Sequence, residues 1–192
     1  MPITAGVVAV QGDVEEHARA LETATSEQIE RVAIRSKRDV RDCDVIAVPG
    51  GESTTISRHL TRTGIGDALV EHVERDKPLL ATCAGLIVAS RDANDDRIET
   101  LGLIDATVER NAFGRQRDSF ETALDVEGLE EPYPAAFIRA PAIETVGGAT
   151  VIARHEGRPV AVEDGPVIGT AFHPELTGDS RLHERLLENC RP

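Results

Sequence analysis

Cys83 stands where a nucleophile would be exposed to a substrate. The apolar run Leu79–Thr82 is typical of a buried strand, and residues 84–88 have helical character, which places the cysteine at a strand-to-helix turn. Such a turn projects a side chain off the end of a sheet, and a helix N-terminus favours the thiolate form of sulfur. The backbone N–H of Ala84 would then point toward an oxyanion. The pattern favours a catalytic thiol, although an isolated cysteine is more often a small buried hydrophobe.

His173 and Glu175 follow the apolar run 167–172, with Pro174 between them. If this segment stays extended, the imidazole and the carboxylate lie on the same side of the chain. A carboxylate so placed can orient the ring of a general base and stabilise its charged form. The hypothesis is a base with its orienting group, and the alternative for a lone His-Pro-Glu sequence is a surface turn.

A glycine pair, Gly50-Gly51, lies directly after the predicted strand 44–48 and is followed by Glu52 and Ser53. Open α/β sheets place their ligands at this end of their strands, and adjacent glycines let the backbone approach a ligand closely. An ordinary turn is the alternative. The segment lacks the Gly-Lys-Ser/Thr ending of a nucleotide-binding loop.

Two arginines, Arg110 and Arg139, lie at or just after the ends of apolar strand candidates. A guanidinium can bind an α-carboxylate through two parallel hydrogen bonds. For each arginine alone, a solvated surface ion pair is the competing interpretation.

The elements that would position these residues alternate between short strands and helices. Strands are predicted at 5–10, 28–34, 44–48 and 79–82, and helices at 13–21, 53–60, 65–73 and from 83 onward. This alternation predicts an α/β fold with a mostly parallel central sheet and helices on both faces. Beyond Asp92 the pattern changes to strand candidates at 103–108, 119–124, 135–138, 151–154, 159–162 and 167–172, with a last helix at 180–189. Some of these strands are predicted to be antiparallel additions or a side ribbon.

Length and charge limit the classes of function. The 192 residues predict one domain covering 1–192, and the formal net charge of −13 argues against a nucleic-acid partner. No apolar run is long enough to span a membrane and no signal segment is visible, so a cytoplasmic location is expected. The three cysteines, at 43, 83 and 190, show no metal-like pairing.

Six ordered blocks now carry a family resemblance: VVAVQGDVEEHARAL, VPGGESTTI, TCAGLIV, ERNAFGRQRDSFE, FIRAPAI and FHPELTGD. Together they run from about Val7 to Asp179. The chain resembles the glutaminase subunits of pyridoxal 5′-phosphate synthases, which are class I (triad) glutamine amidotransferases. The resemblance implies a flavodoxin-like amidotransferase domain, no metal or cofactor, and a separate barrel-shaped synthase that receives ammonia through an internal tunnel and activates the glutaminase.

The resemblance also implies roles for individual residues. Cys83 would be the nucleophile, His173 the acid and base, and Glu175 its orienting group. The residues implied to hold glutamine are Gly51, Glu52, Ser53, Arg110, Ile138 and Arg139, and the backbone N–H groups of Gly51 and Ala84 are implied to form the oxyanion site. One position departs from the family pattern, since Ala81 stands where a glycine usually precedes the nucleophile by two residues. We expect a slightly tighter turn and an intact nucleophile.

Three other functions remain open at this point. The nearest is an amidotransferase subunit serving another synthase, such as one for histidine or purine precursors, although ERNAFGRQ and FIRAP argue against it. The others are a non-catalytic subunit that kept the fold, and a cysteine peptidase built on the same type of sheet.

Overall fold

The fold was obtained as a computed structural model, which describes residues 2–110 and 119–190. Strands in the described ranges are β1 Ile3–Val8, β2 Ile29–Ile34, β3 Val45–Val48, β4 Leu79–Thr82, β5 Ser90–Asp92, β6 Ile104–Glu109, β7 Phe120–Leu124, β8 Tyr133–Phe137, β9 Ala142–Val146, β10 Thr150–His155, β11 Arg158–Asp164 and β12 Val167–Thr170. Helices are α1 Val14–Thr23, α2 Lys37–Arg41, α3 Ser53–Thr63, α4 Ile65–Val73, α5 Ala84–Ala89 and α6 Arg181–Glu188, with a 3₁₀ turn at Pro174–Leu176.

The central sheet has seven strands in the order β10-β11-β12-β4-β3-β1-β2. The pairs from β12 to β2 are all parallel, whereas β10 and β11 extend the sheet as antiparallel strands. The predicted α/β class is therefore confirmed, as are the antiparallel additions.

The strands at the centre of the sheet are apolar throughout. Every residue of β3, β4 and β12 is buried, which explains why these strands read as continuous apolar runs without alternation. Strands buried on both faces are rigid, and they hold in place the residues that follow their carboxyl ends.

Two smaller sheets lie beside the central one. One contains β5, β6 and β9, and the other is the hairpin of β7 and β8. This hairpin matches the predicted side ribbon. The sequence patterns missed α2, β5 and β9, which are only three to five residues long.

None of the helices in residues 2–110 and 119–190 is long and apolar enough to cross a membrane. A single domain covering residues 1–192 stays a prediction.

Candidate active site

The predicted site residues meet at one edge of the central sheet. Gly50 follows β3, Cys83 follows β4 and His173 follows β12, and these three strands are parallel neighbours. Their carboxyl ends therefore open on the same side, where doubly wound sheets bind ligands. A cavity of about 620 Å³ lies there, lined by Gln11, Gly12, Asp13, Gly50, Gly51, Glu52, Ser53, Cys83, Ala84, Ile87, Arg110, Ile138, Arg139, Pro141 and His173.

Cys83 occupies a strained turn between β4 and α5. Its backbone lies in the left-handed region with φ 51° and ψ −110°, which is uncommon for a residue other than glycine. The backbone N–H donates to the carbonyl of Thr170 at 2.9 Å, so the turn is tied to β12. The side chain is largely buried, yet it lines the cavity, with Sγ 3.9 Å from the carbonyl oxygen of Ile138. The predicted strand-to-helix turn at Cys83 is thus present, with Ala81 fully buried in β4.

Two glycines let the backbone pack tightly around this turn. A Cβ on Gly85 would lie 2.1 Å from the carbonyl oxygen of Val48, so the first turn of α5 rests directly on the end of β3. A Cβ on Gly50 would lie 2.9 Å from His173 Cε1 and 3.3 Å from Cys83 Cβ. Both positions exclude a side chain because of packing.

His173 and Glu175 form the predicted pair. The ring Nδ1 lies 2.7 Å from Glu175 Oε1, and the backbone N–H of His173 donates to Ala136 at 2.8 Å. The segment does not stay extended, which was the condition on which the sequence placed the two groups on one side, because Pro174 begins a 3₁₀ turn directly after His173. The turn still brings the carboxylate back to the ring.

The surroundings of His173 favour its charged form. Burial alone lowers the pKa of His173, but hydrogen bonds to Cys83 and Glu175 and the charges of both groups outweigh burial and raise it well above its ordinary value. The imidazole is therefore influenced by both the cysteine and the carboxylate. A charged imidazole in this position can serve as a general acid.

Two residues that the sequence patterns did not single out, His17 and Asp13, lie close to Glu175 and His173. His17 Nε2 lies 3.4 Å from Glu175 Oε2 and 3.2 Å from Thr82 Oγ1, and all three side chains are buried. Asp13 Oδ2 lies 3.7 Å from His173 Nδ1. His17 sits on the inner face of α1, where spacing alone indicates only a core position.

Residues 49–53, the glycine loop, are held by a side chain from the turn after β1. Gln11 Oε1 accepts a hydrogen bond from the backbone N–H of Glu52 at 2.8 Å. Gly51 has φ 138°, a conformation that disfavours a side chain. Within the described ranges, the backbone N–H groups of Gly51 and Ala84 donate to no protein acceptor, which leaves both available for a ligand.

Glu52 has a structural task besides lining the cavity. Its carboxylate caps α3 by accepting from the backbone N–H of Thr54 and of Thr55. The helix begins at Ser53, as the sequence predicted. The hydroxyls and backbone N–H groups of these threonines lower the pKa of Glu52 to about 2. Arg110 Nη2 lies 3.1 Å from Glu52 Oε1.

The remaining predicted binding residues also reach the cavity. Ser53 Oγ is buried and has no hydrogen-bond partner among the described residues. Arg110 is partly exposed and lies 3.5 Å from Asp95 as well as close to Glu52. Ile138 and Arg139 complete the lining, and Arg139 has φ 45°. The part of the ERNAFGRQ block at 111–116 lies outside the described residues.

One group of side chains has the composition of a metal site. Asp13, His173 and Glu175 each offer a ligand atom within 4.8 Å of the others. His173 Nδ1 and Glu175 Oε1 are already joined by their 2.7 Å bond, which explains the proximity without an ion. The absence of a metal or cofactor from the reaction stays a prediction.

Comparisons with known proteins identify the family of this chain. Residues 7–192 match the model of the SNO glutamine amidotransferase family. A protein of Haloquadratum walsbyi named pyridoxal 5′-phosphate synthase subunit PdxT is 63% identical over 95% of this chain and 91% of its own length. A protein of the same name from Halobacterium salinarum is 61% identical over 96% of this chain and 93% of its own.

A solved structure described as a glutamine amidotransferase has a TM-score of 0.88 and 42% identity, covering 97% of this chain and 98% of that one. The structure of PurLQS from Thermotoga maritima, at 18% identity and a TM-score of 0.68, shares the fold. The match to the family model and the high identity of the relatives cover nearly the whole sequence. The chain belongs to the SNO glutamine amidotransferase family.

Proposed function

We propose that the chain is the glutaminase subunit of a pyridoxal 5′-phosphate synthase, hydrolysing L-glutamine to L-glutamate and ammonia. The observation that carries this proposal is one imidazole that is hydrogen-bonded to a carboxylate and lies next to a cysteine side chain in the wall of a cavity. A nucleophile, a base and an orienting acid are the parts that amide hydrolysis through a covalent intermediate requires.

In the first half of the reaction the Cys83 thiolate attacks the side-chain amide carbon of glutamine. The carbonyl π electrons move to oxygen, and the tetrahedral intermediate collapses with cleavage of the C–N bond. His173 donates its proton to the departing nitrogen, which leaves as ammonia, and a glutamyl thioester remains on the sulfur.

In the second half a water molecule replaces ammonia. His173, now neutral, takes a proton from the water as its oxygen attacks the thioester carbon. The C–S bond breaks, glutamate leaves, and the thiolate–imidazolium pair is restored. Glu175 stays ionised and keeps the ring in one orientation throughout.

The oxyanion of both tetrahedral intermediates would be bound by the backbone N–H groups of Gly51 and Ala84. In other enzymes a single donor of this kind contributes roughly 3–4 kcal/mol to transition-state stabilisation. Neither N–H group donates to a protein acceptor among the described residues, which supports the assignment.

Glutamine would lie between the glycine loop and the two arginines. Arg110 and Arg139 bring positive charge to the cavity and would bind the α-carboxylate, while the buried hydroxyl of Ser53 has a free hydrogen-bonding capacity. Gly51, Glu52 and Ile138 would complete the contacts through atoms that line the cavity.

The partner is proposed from the names of the relatives, which are synthase subunits. A barrel-shaped synthase subunit would receive ammonia through an internal tunnel and would activate the glutaminase by completing the oxyanion site near the glycine loop. The net charge of −13 gives no support to a nucleic-acid partner, and a cytoplasmic location is proposed for the complex.

The test is a glutaminase assay of the chain with and without the co-encoded synthase, using glutamine labelled with ¹⁵N in the side-chain amide. We expect glutamate release that increases with the synthase, and label in the pyridoxal 5′-phosphate product. Cys83→Ala should abolish glutamate release, with a loss of at least about 10⁴-fold because the nucleophile is missing.

The same assay separates the alternatives. Substantial glutamate release by Cys83→Ala would refute the assigned nucleophile. An unreactive Cys83 toward a thiol probe would favour a non-catalytic subunit, co-purification with a different synthase would change the partner, and turnover of a peptide but not of glutamine would favour a peptidase.

A further inference from the structure

The carboxylate of Glu175 has two oxygens, and the proposed mechanism uses only one of them. Oε1 is bound to His173, whereas Oε2 is buried and has no conventional hydrogen bond from any residue in the described ranges. Leaving a buried carboxylate oxygen without a donor is unfavourable, and it also leaves the carboxylate free to rotate about its last bond. Some group must hold this oxygen.

His17 is the polar group at that position. Its Nε2 is 3.4 Å from Glu175 Oε2, slightly longer than a hydrogen bond, and the side chains of both residues are completely inaccessible to solvent. The same nitrogen lies 3.2 Å from Thr82 Oγ1, one residue before Cys83. The imidazole therefore lies between the turn that carries Glu175 and the strand end that carries the nucleophile.

His17 is suited to act as a neutral donor. Burial, followed by the charges of His183 and His173, lowers the pKa of His17 well below its ordinary value. Because a carboxylate only accepts hydrogen bonds, the single proton of a neutral ring belongs on Nε2, facing Oε2. Nδ1 is then unprotonated, and it is one of the buried atoms without a partner.

We propose that His17 is a positioning residue, whose Nε2–H holds Glu175 Oε2 and thereby fixes Oε1 against His173. A neutral donor steadies the carboxylate without cancelling the negative charge that His173 needs. The groups facing this cluster are Thr82 from β4, Asp13 from the turn before α1, and His183 from α6, whose ring centroid is 5.9 Å from that of His17. This inference rests on the proposed glutaminase function.

His183 provides a matched control. Like His17 it is fully buried, and neither of its ring nitrogens has a partner among the described residues, but it has no hydrogen bond or ion pair with Glu175. Replacing either histidine by leucine removes a buried imidazole from the same region. A purely structural role for His17 predicts similar effects of the two substitutions on activity.

The experiment compares His17→Leu, His17→Gln and His183→Leu with the unmodified chain, each in complex with the synthase. Glutamine places a side-chain N–H near the position of Nε2, so His17→Gln should keep activity within about threefold of the unmodified chain. His17→Leu should lower kcat by about 10- to 100-fold with little change in KM, because misplacing a catalytic group by a fraction of an ångström has effects of this size. His183→Leu should keep kcat within about threefold, whatever its effect on thermal stability.

The pH profile is the second measurement, because loss of stability alone does not move it. A misplaced Glu175 supports the charged form of His173 less well, so the alkaline limb of kcat in His17→Leu should move to lower pH. The rate of Cys83 alkylation by iodoacetamide against pH, followed by mass spectrometry of its peptide, reports the same change without turnover.

The results distinguish a positioning role of His17 from a purely structural one. A His17→Leu variant with normal kcat and an unchanged pH profile would overturn the inference, as would equal losses in His17→Leu and His183→Leu. If His17→Leu does not fold, His17→Asn replaces it, since its shorter amide does not reach the Nε2 position; equal activity of His17→Asn and His17→Gln would again overturn the inference. An unmodified chain that releases no glutamate with the synthase would instead refute the proposed function, and the alkylation profiles would still test His17.

Discussion

The two sides of the cavity are built differently. One side, the strand-end wall, consists of Gly50, Cys83, Ala84 and His173, which lie within three residues of the end of a central strand. The other, the arginine wall, consists of Glu52, Arg110, Ile138 and Arg139.

Burial and charge separate the two walls. The strand-end wall is almost wholly buried and is held by backbone packing. In the arginine wall Glu52 and Arg110 are partly exposed and are held by the cap of α3 and by ion pairs, and Arg139 is exposed. Reacting atoms need a fixed geometry, and the buried strand ends supply it. Binding a small charged molecule depends more on charge and reach, which flexible side chains can provide.

Among the substitutions that test this difference between the walls, the largest effect on kcat is expected from removing the negative charge of Glu175, which contacts His173 of the strand-end wall. Glu175→Gln keeps the size of the side chain but cannot stabilise a charged imidazole, so kcat should fall roughly 10³- to 10⁴-fold, as for similar triads. KM should change little, and steady-state glutaminase kinetics with the synthase measure both. Glu144→Gln, at an exposed position of β9, is the control for loss of an acidic group. A fall of less than tenfold would mean that Glu175 does not orient His173.

A smaller effect is expected from crowding the same wall. Gly50→Ala places a methyl group 2.9 Å from His173 Cε1, so the ring or the loop must move. We expect kcat to fall about 100-fold, because a shift of about 1 Å in a catalytic group has this consequence. Gly148→Ala is the matched control, since its added methyl group would meet only the carboxylate of Asp105, at 3.3 Å. Equal activity of the two variants would show that the strand-end wall is less rigid than the packing implies.

Substitutions in the arginine wall should change the KM for glutamine instead of kcat. Arg139→Lys keeps the charge but loses the planar pair of donors, so we expect KM for glutamine to rise about tenfold with kcat nearly unchanged. Arg154→Lys, at an exposed position of β10, controls for the substitution itself. A fall in kcat with constant KM would remove the functional distinction between the walls.

The smallest effect at neutral pH is expected on the free energy of unfolding, from His72, a buried histidine that is not among the residues lining the cavity. His72 is neutral in the fold because burial lowers its pKa to about 4, although its hydrogen bond to the carbonyl of Pro78 opposes this shift. In the unfolded chain the pKa is near 6.5. The unfolded state therefore binds the proton first, and the contribution of His72 to stability is complete above about pH 6.5 and is lost as the pH falls toward 4.

Urea unfolding at a series of pH values tests this prediction. The free energy of unfolding should decrease between pH 6.5 and 4, and His72→Gln should make the decrease shallower. His17 and His183, whose pKa values are also lowered by burial, add to the same trend and remain in the variant. An unchanged slope in His72→Gln would contradict the assignment.

The sequence was most informative where local chemistry and topology coincide. Runs such as 79–82 and 167–172 indicate strands buried on both faces, and the carboxyl ends of parallel neighbours must meet. The family resemblance implied that Cys83 and His173 act together, and the parallel pairing of β4 with β12 brings the two strand ends to the same edge. Ile65–Val73 and Leu79–Thr82 were predicted with their observed bounds.

Features that depend on the exact local backbone conformation, or on long-range contacts, could not be predicted in the same way. The role of Glu52 as a cap depends on its conformation at the start of α3, and the 3₁₀ turn after His173 depends on how the chain bends at Pro174. The position of His17 behind Glu175 requires α1 to pack against that turn, and no periodicity encodes this contact. The short elements α2, β5 and β9 have too few residues to establish a pattern.

The left-handed backbone of Cys83 limits which other nucleophiles the site can adopt. A side chain branched at Cβ fits this backbone region poorly, because its second substituent collides with the neighbouring peptide groups. Serine could replace the sulfur with a hydroxyl in the same place, whereas threonine would force the turn to open. Because the nucleophile is presented by this conformation, we expect only side chains that are unbranched at Cβ to be accepted at position 83.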